Sequence, residues 1–257
     1  MKSLLKFISD KLSLKKETQT KENKINILPQ VRGVNPLFDI ELHLPNFKAE
    51  IIFDVGANIG QSTSIYINHF KKAEIYCFEP VISTYSILEN EFKQYNNIHC
   101  FNIAFGAKKG IGNMILHNTS DLAQLTVLKN DIEDVSNKKK SYVMIETIDE
   151  FCRDNNINQI SYLKIDTEGH DLNVLQGAID MINNQKIGII EVEVGMNQLN
   201  TLHVPFEIIW NYLLEKNYYL FGIYEQVHEW PTGSPILRRI NPVFISEEIK
   251  NRNIVNK

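Results

Sequence analysis

Seven short β-rich runs recur along the chain with helical patterns between them: Glu50 to Val55, Glu74 to Phe78, Ile98 to Ile103, Ile160 to Ile165, Gly188 to Val194, Tyr218 to Ile223 and Pro242 to Ile245. After Gly60, Pro80, Gly169 and Pro205 apolar residues return at helical intervals, as in Leu172, Leu175, Ile179 and Ile182. A parallel connection must cross over the sheet, and the crossing helices then cover its faces. The expected fold is therefore α/β, a doubly wound, mostly parallel seven-stranded sheet with helices on both faces. The stretch from Gly106 to Val143 breaks the pattern and reads as an insertion or hairpin, with Lys138, Lys139 and Lys140 in a solvated loop.

Ahead of the alternation, Leu4, Leu5, Ile8 and Leu12 fall at helical spacing, which predicts a short amphipathic helix that packs on the body or on a partner. Peripheral membrane contact is the sharper reading of that helix. Lys15 to Asn26 is too polar for a packed face and reads as a linker. The expected organisation is an N-terminal extension over 1–45 and a single domain over 46–257, long enough at 257 residues to need no disulfide or metal staple.

Lys and Arg number 27 against 31 Asp and Glu, a net charge of −4, so no global basic field draws the chain to nucleic acid. Cys77, Cys100 and Cys152 are odd in number and lack Cys-x-x-Cys spacing, which fits a reduced, cytoplasmic setting. No apolar run approaches the roughly 18 residues that span a bilayer. Lys6, Asp10 and Lys11 interrupt what would be the apolar stretch of a signal peptide. The oligomeric state is not legible.

The first β-rich run leads straight into Asp54-Val55-Gly56-Ala57-Asn58-Ile59-Gly60, and a helical pattern follows. In open parallel sheets, ligands bind beyond the carboxyl ends of the strands at such a turn. A dinucleotide fingerprint needs glycine where Asn58 stands, so that the backbone can approach a pyrophosphate. Asp54, ahead of the turn, would repel a phosphate and pair with a sulfonium or ammonium group. Glu79 follows the second run, 25 residues after Asp54, where an acid accepts the hydroxyls of an adenosine ribose. An adenosine with a cationic tail and no phosphate is S-adenosylmethionine. The expected cofactor-facing acids at the turn are Asp54 and Glu79. Taken singly, Asp54 is a helix cap, Glu79 a solvated acid and the glycines a tight turn.

IIFDVGANIGQ (51–61), CFEP (77–80), NIAFG (102–106), ETIDEF (146–151), LKIDTEGHDLNVLQGA (163–178) and IIEVEV (189–194) together resemble the FkbM family of S-adenosylmethionine-dependent methyltransferases. The resemblance runs in order over about residues 50 to 195, and the Lys-Ile-Asp-x-Glu-Gly block is its most distinctive part. It implies the class I methyltransferase sheet with one reversed edge strand. It further implies O-methylation of a hydroxyl on a sugar, glycan or related metabolite, with Asp54, Gly56, Ala57, Asn58, Gly60 and Glu79 contacting the cofactor and Asn102 and Ala104 flanking the adenine.

Lys164, Asp166, Glu168 and His170 alternate where the fourth main strand passes into its helix, and Glu191 and Glu193 end the next strand. A sugar hydroxyl is a poor nucleophile, so transfer is helped by a positioned base. Asp166, Glu168 and His170 are the catalytic candidates. His170, with an ordinary pKa near ~6.5, is the preferred base and Asp166 the positioner, with Asp166 as the alternative base. Glu168 reads as stabilising the helix N-terminus, a role that leaves room for chemistry. No metal is required, although Asp166, Glu168, His170 and Glu191 form a donor set that suits Mg²⁺ or Mn²⁺.

Two rival readings stand beside this one. Tyr212 and Lys216 form a Tyr-x-x-x-Lys pair of the kind that short-chain dehydrogenases use with NAD(P), though the glycine which that signature needs is replaced by Ser62. A noncatalytic S-adenosylmethionine-binding module is the other, since fold alone does not fix function. The aromatics between Trp210 and Trp230, with the turn Pro231 to Pro235, are expected to border the acceptor cleft.

Overall fold

The computed structural model describes residues 32–116, 123–127 and 140–254. The amphipathic helix expected over the first residues, the polar linker, Lys138 and Lys139 all lie outside the described residues.

Eight strands form the main sheet: β1 (Ile51–Val55), β2 (Glu74–Phe78), β3 (Ile98–Phe101), β8 (Ile160–Ile165), β9 (Ile187–Val192), β10 (Val194–Gly195), β11 (Tyr218–Glu229) and β12 (Ser234–Ser246). They lie in the order β3-β2-β1-β8-β9-β12-β11, with β10 pairing β12 beyond the end of β9. The strands from β3 to β9 are parallel; β12 is antiparallel to both β9 and β11. This is the expected doubly wound sheet. Its winding reverses between β1 and β8, which opens a crevice at their carboxyl ends.

Strand alternation divides the core between the two faces. Phe53, Leu163, Ile165 and Ile190 point to one side. There they meet Phe151 of α4 (Ile148–Asp154), Leu175 of α5 (Asp171–Gln176), Ile182 of α6 (Ile179–Asn183) and Leu213 of α7 (Phe206–Leu214). Ile52, Ile75, Tyr162 and Val243 point to the other. They meet Ile40 of α1 (Pro36–His43), Tyr66 of α2 (Gln61–His69), Leu88 of α3 (Ile82–Phe92) and Ile249 of α8 (Glu247–Arg252). Each such aliphatic side chain contributes about 1.5–3 kcal/mol by leaving water.

Asn35 caps α1, its side chain accepting from Leu37 N at 3.0 Å, and Leu37, Ile40 and Leu44 are buried in the second face. The expected division between residues 45 and 46 therefore cuts a helix from the core that it completes. Tyr224 of β11 also donates to Asp39 of α1 at 3.0 Å.

Gly106 to Val143 does carry a hairpin, and more than a hairpin. β4 (Ala104–Phe105), β5 (Gly110–Leu116), β6 (Ala123–Val127) and β7 (Lys140–Glu146) make a second sheet in the order β4-β7-β5-β6. Its Met114, Val143 and Ile145 pack on Val81 and Ala104 at the mouth of the crevice. The third expected strand ends at Phe101, two residues short of Ile103, and the last two are longer than their apolar runs. β11 bulges between Tyr224 and Val227, with Glu225 at φ +46°, which breaks the two-residue alternation that periodicity reads. All three cysteines are free, and among the described residues no helix is long and apolar enough to cross a membrane.

Candidate functional site

The glycine turn is tied to both neighbouring strands. Gly56 N and Ala57 N donate to Phe78 O at 2.9 and 3.0 Å, and Asp166 N donates to Val55 O at 2.9 Å. Gly56 sits at φ +81°, and a β-carbon there would stand 1.9 Å from Asp166 O, so only glycine lets the turn and the Asp166 loop approach. Asn58, also left-handed at φ +50°, donates its backbone N–H to Glu79 Oε2 at 3.0 Å. Val81 N binds the other oxygen of Glu79 at 2.8 Å. Burial pushes the Glu79 carboxyl up to about 7 despite these two donors.

A cleft of about 440 Å³ opens above the turn. One end is apolar, formed by Phe78, Val81, Ile103, Ala104, Phe105 and Met114; the other carries Lys164, Asp166, Glu168, His170, Glu225 and Asn241. Gly56, Ala57, Asn58 and Glu79 lie between the two.

Three of the expected residues do not line the cleft. Asp54 is 0% exposed and does not line the cleft. Alternation on β1 turns it to the face opposite Phe53, where Thr63 Oγ1 donates to it at 2.8 Å. Burial raises its pKa, and Lys164 opposes that rise. Asn102 is set back too: its amide donates to the carbonyls of Glu79 and Pro80, both at 2.9 Å, and so shapes the segment that carries Glu79. Gly60, at the start of α2, makes no part of the cleft wall.

At the polar end the acids differ sharply in character. Lys164 Nζ lies 2.9 Å from Asp166 Oδ2 with Asp54 and Glu191 nearby, and these anions outweigh the burial that would discharge it. Burial works to raise Asp166, but Lys164, Arg239 and His203 prevail and hold it below the usual carboxylate range. Glu168 behaves in the opposite way. Burial, then Glu193 and Asp166, push it up to about 7, and its Oε2 is buried without a hydrogen-bond donor. Asp171, the first residue of α5, accepts from Thr167 N at 3.0 Å and Gly169 N at 3.3 Å and so braces the loop that carries Glu168. His170 lines the cleft at the N-cap of α5.

A family model described as the methyltransferase FkbM domain matches residues 54–220. The chain belongs to the FkbM methyltransferase family. The hexuronic acid methyltransferase AglP of Haloferax volcanii is 24% identical over 149 residues, 58% of this chain and 58% of that protein. The chain thus spans little more than half the length of that curated relative. Among solved structures, M. capricolum TrmK with S-adenosyl-homocysteine shares 11% identity at a TM-score of 0.44, covering 82% of this chain and 68% of that one. Aeropyrum pernix fibrillarin with S-adenosyl-L-methionine shares 14% at 0.41, covering 81% and 74%.

S-adenosylmethionine is the family's cofactor, and the cleft fits it by chemistry. The apolar lining would suit an adenine, Glu79 would offer lone pairs to ribose hydroxyls, and Asp166, held anionic, would suit a cationic tail. When bound, the cofactor supplies an electrophilic methyl group on a sulfonium.

The FkbM domain also gathers a set that the motifs did not single out. His203, from the segment between β10 and α7, is buried with Nε2 2.6 Å from Glu193 Oε2 and 3.6 Å from Glu168 Oε2. Arg239 of β12 pairs with the other oxygen of Glu193. A lone His near an Asn pair gives no sequence signal, because its partners lie on three separate segments. Glu168, Glu193 and His203 place one donor atom each within 4.8 Å of one another, but Arg239 already supplies positive charge there. Glu191, the fourth member of the expected donor set, is turned away. Tyr162 donates to it on the sheet face that holds Asp54, so Asp166, Glu168, His170 and Glu191 do not converge.

Tyr212 and Lys216 do meet, as a cation over a ring 3.8 Å from its centroid, with the Tyr212 hydroxyl on Leu175 O at 3.3 Å. Neither lines the cleft, so the dehydrogenase reading loses its proton donor. The Pro231 to Pro235 turn also lies off the cleft wall; the hairpin contributes Glu225 and Asn241, which stand nearer its base.

Proposed function

We propose that this domain methylates a hydroxyl oxygen of a sugar or glycan with S-adenosylmethionine, and that Glu168 accepts the hydroxyl proton. The observation that carries this reading is the Glu168 carboxylate, which lines the cleft, is raised to about 7 and has its Oε2 buried without a hydrogen-bond donor. A base with its pKa near the working pH is the most effective, and such groups typically contribute ~10²–10⁴-fold. Glu168 thereby replaces His170 as the preferred base. Asp166, held anionic by Lys164, orients the positive end of the cofactor. His170 borders the acceptor, and the backbone of Gly56, Ala57 and Asn58 with Glu79 and Ala104 seats the nucleoside.

The sugar class is supported by the relative's name, which specifies a hexuronic acid. A hexuronic acid offers hydroxyls and a carboxylate. Asp166, Glu168 and Glu225 would repel a carboxylate, and a carboxylate needs no base. Both points favour the hydroxyl.

The test incubates the purified protein and labelled S-adenosylmethionine with paired neutral hexosides and hexuronosides, and locates the methyl group by mass spectrometry. Methyl ethers are expected, and Glu168→Gln should keep S-adenosyl-homocysteine affinity while losing ~10²-fold or more in rate. Methyl esters alone would refute the hydroxyl reading, and binding with no product from any acceptor would leave a noncatalytic binding module.

A further inference from the structure

His203 has no assigned role, yet everything around it points at the proposed base. Glu168 takes the left-handed conformation at φ +52°, uncommon for a residue with a side chain. Its neighbour Gly169, at φ +100°, lies so close to the 200–203 segment that a β-carbon would stand 2.2 Å from Leu202 O. That segment is braced in turn. Asn200 Oδ1 accepts from Leu202 N and His203 N, both at 3.2 Å, and the Asn200 side chain meets His203 Nδ1 at 3.0 Å. Nδ1 is engaged by Asn200, and Nε2 lies between two carboxylates, 2.6 Å from Glu193 Oε2 and 3.6 Å from Glu168 Oε2.

We propose that His203, clamped by Glu193 and Asn200, is a positioning residue that carries a positive charge beside Glu168 and sets the pH at which that carboxylate can take the acceptor's proton. This rests on Glu168 being the base. In the step concerned, the acceptor O–H bond breaks, its proton passes to the Glu168 carboxylate and its oxygen takes the methyl group; His203 keeps its own two protons throughout.

The charges that face this pair come from three places. Asp166 and Asp171 flank Glu168 along the loop into α5, Glu193 follows β9, and Arg239 reaches in from β12. Burial works against a charged imidazole, but the hydrogen bond and charge of Glu193, then Glu168 and Asp171, raise the His203 pKa above its ordinary value. Asp166, Asp171 and Glu193 all push Glu168 up, and His203 opposes them. Removing the cation therefore raises the pH at which Glu168 ionises.

The decisive experiment compares pH profiles of kcat/KM for the wild type and His203→Gln, whose amide can still reach Glu193. The acidic limb of the variant should move up by about one unit, the size expected for losing an opposite charge at this range. Its rate should approach that of the wild type at high pH, with S-adenosyl-homocysteine affinity unchanged. A limb that stays in place, or an equal loss at every pH, would overturn the proposal. Should His203→Gln not fold, nitrogen-15 labelling of the wild-type histidines decides instead: a doubly protonated His203 ring at pH 7 is expected, and a neutral ring overturns it. Glu168→Gln separates the two readings. If that variant keeps its rate, the base assignment fails; if it loses rate while the His203→Gln limb does not move, only the role of His203 fails.

Discussion

Asp54 of β1 and Lys164 of β8 stand opposite each other in the parallel register of the two strands, both buried. With Asp166 and Glu191 they place one cation among three carboxylates directly under the cleft. Breaking a buried ion pair from one side costs about 3–5 kcal/mol, because the remaining charges are left uncompensated. Lys164→Met should therefore lower the urea midpoint strongly. In that variant the carboxylates take up protons in the folded state that the unfolded chain releases, so stability should fall as pH rises from 5 to 8. A midpoint independent of pH would show that the carboxylates do not depend on Lys164.

Gly56→Ala should be more damaging than an ordinary glycine change. The new β-carbon would meet a backbone oxygen, which cannot rotate away, and the φ of +81° is strained for alanine. A loss on the order of 2–3 kcal/mol is expected, together with loss of S-adenosyl-homocysteine binding by calorimetry. Retained binding would show that the turn can open without cost to the cofactor site.

The pH dependence of turnover follows from Glu168. Its folded-state pKa is raised to about 7, and the form that accepts a proton is the ionised one. Activity should rise tenfold per unit below about 7 and level off above it, and this limb should vanish in the residual activity of Glu168→Gln. A profile flat from pH 5 to 8 would count against a carboxylate base.

The two ends of the β11–β12 hairpin should respond differently. Glu225 and Asn241 line the cleft, so Glu225→Ala should change the acceptor KM several-fold with little change in cofactor affinity. Trp230, 73% exposed near the tip, lies off the cleft wall, and Trp230→Ala should leave that KM unchanged. Equal effects would restore the tip as part of the acceptor site.

Exhaustive EDTA treatment should leave transfer intact. Arg239 on Glu193, and Lys164 on Asp166, already meet the charge demand that a divalent ion would otherwise serve. Loss of activity on chelation, restored by Mg²⁺ or Mn²⁺, would show that the acids around Glu168 hold a metal after all.

The sheet and the cofactor turn were legible because their signals are local. Alternation over five or six residues and the spacing of Gly56, Gly60 and Glu79 survive in a one-dimensional string, since each reflects geometry within one strand or one turn. The sequence by itself thus determined the doubly wound fold, the family and the end of the sheet at which chemistry happens. Which acids face the cleft was decided only by tertiary structure. Asp54 and Asp166 look alike in the sequence, yet strand alternation buries one, while Lys164 keeps the other ionised. Glu168 owes its raised pKa to burial and then to Glu193, and its counter-charge to His203, residues 25 and 35 positions away in the chain. Protonation depends on burial and on charges a few ångströms off, and neither quantity exists until the chain has folded.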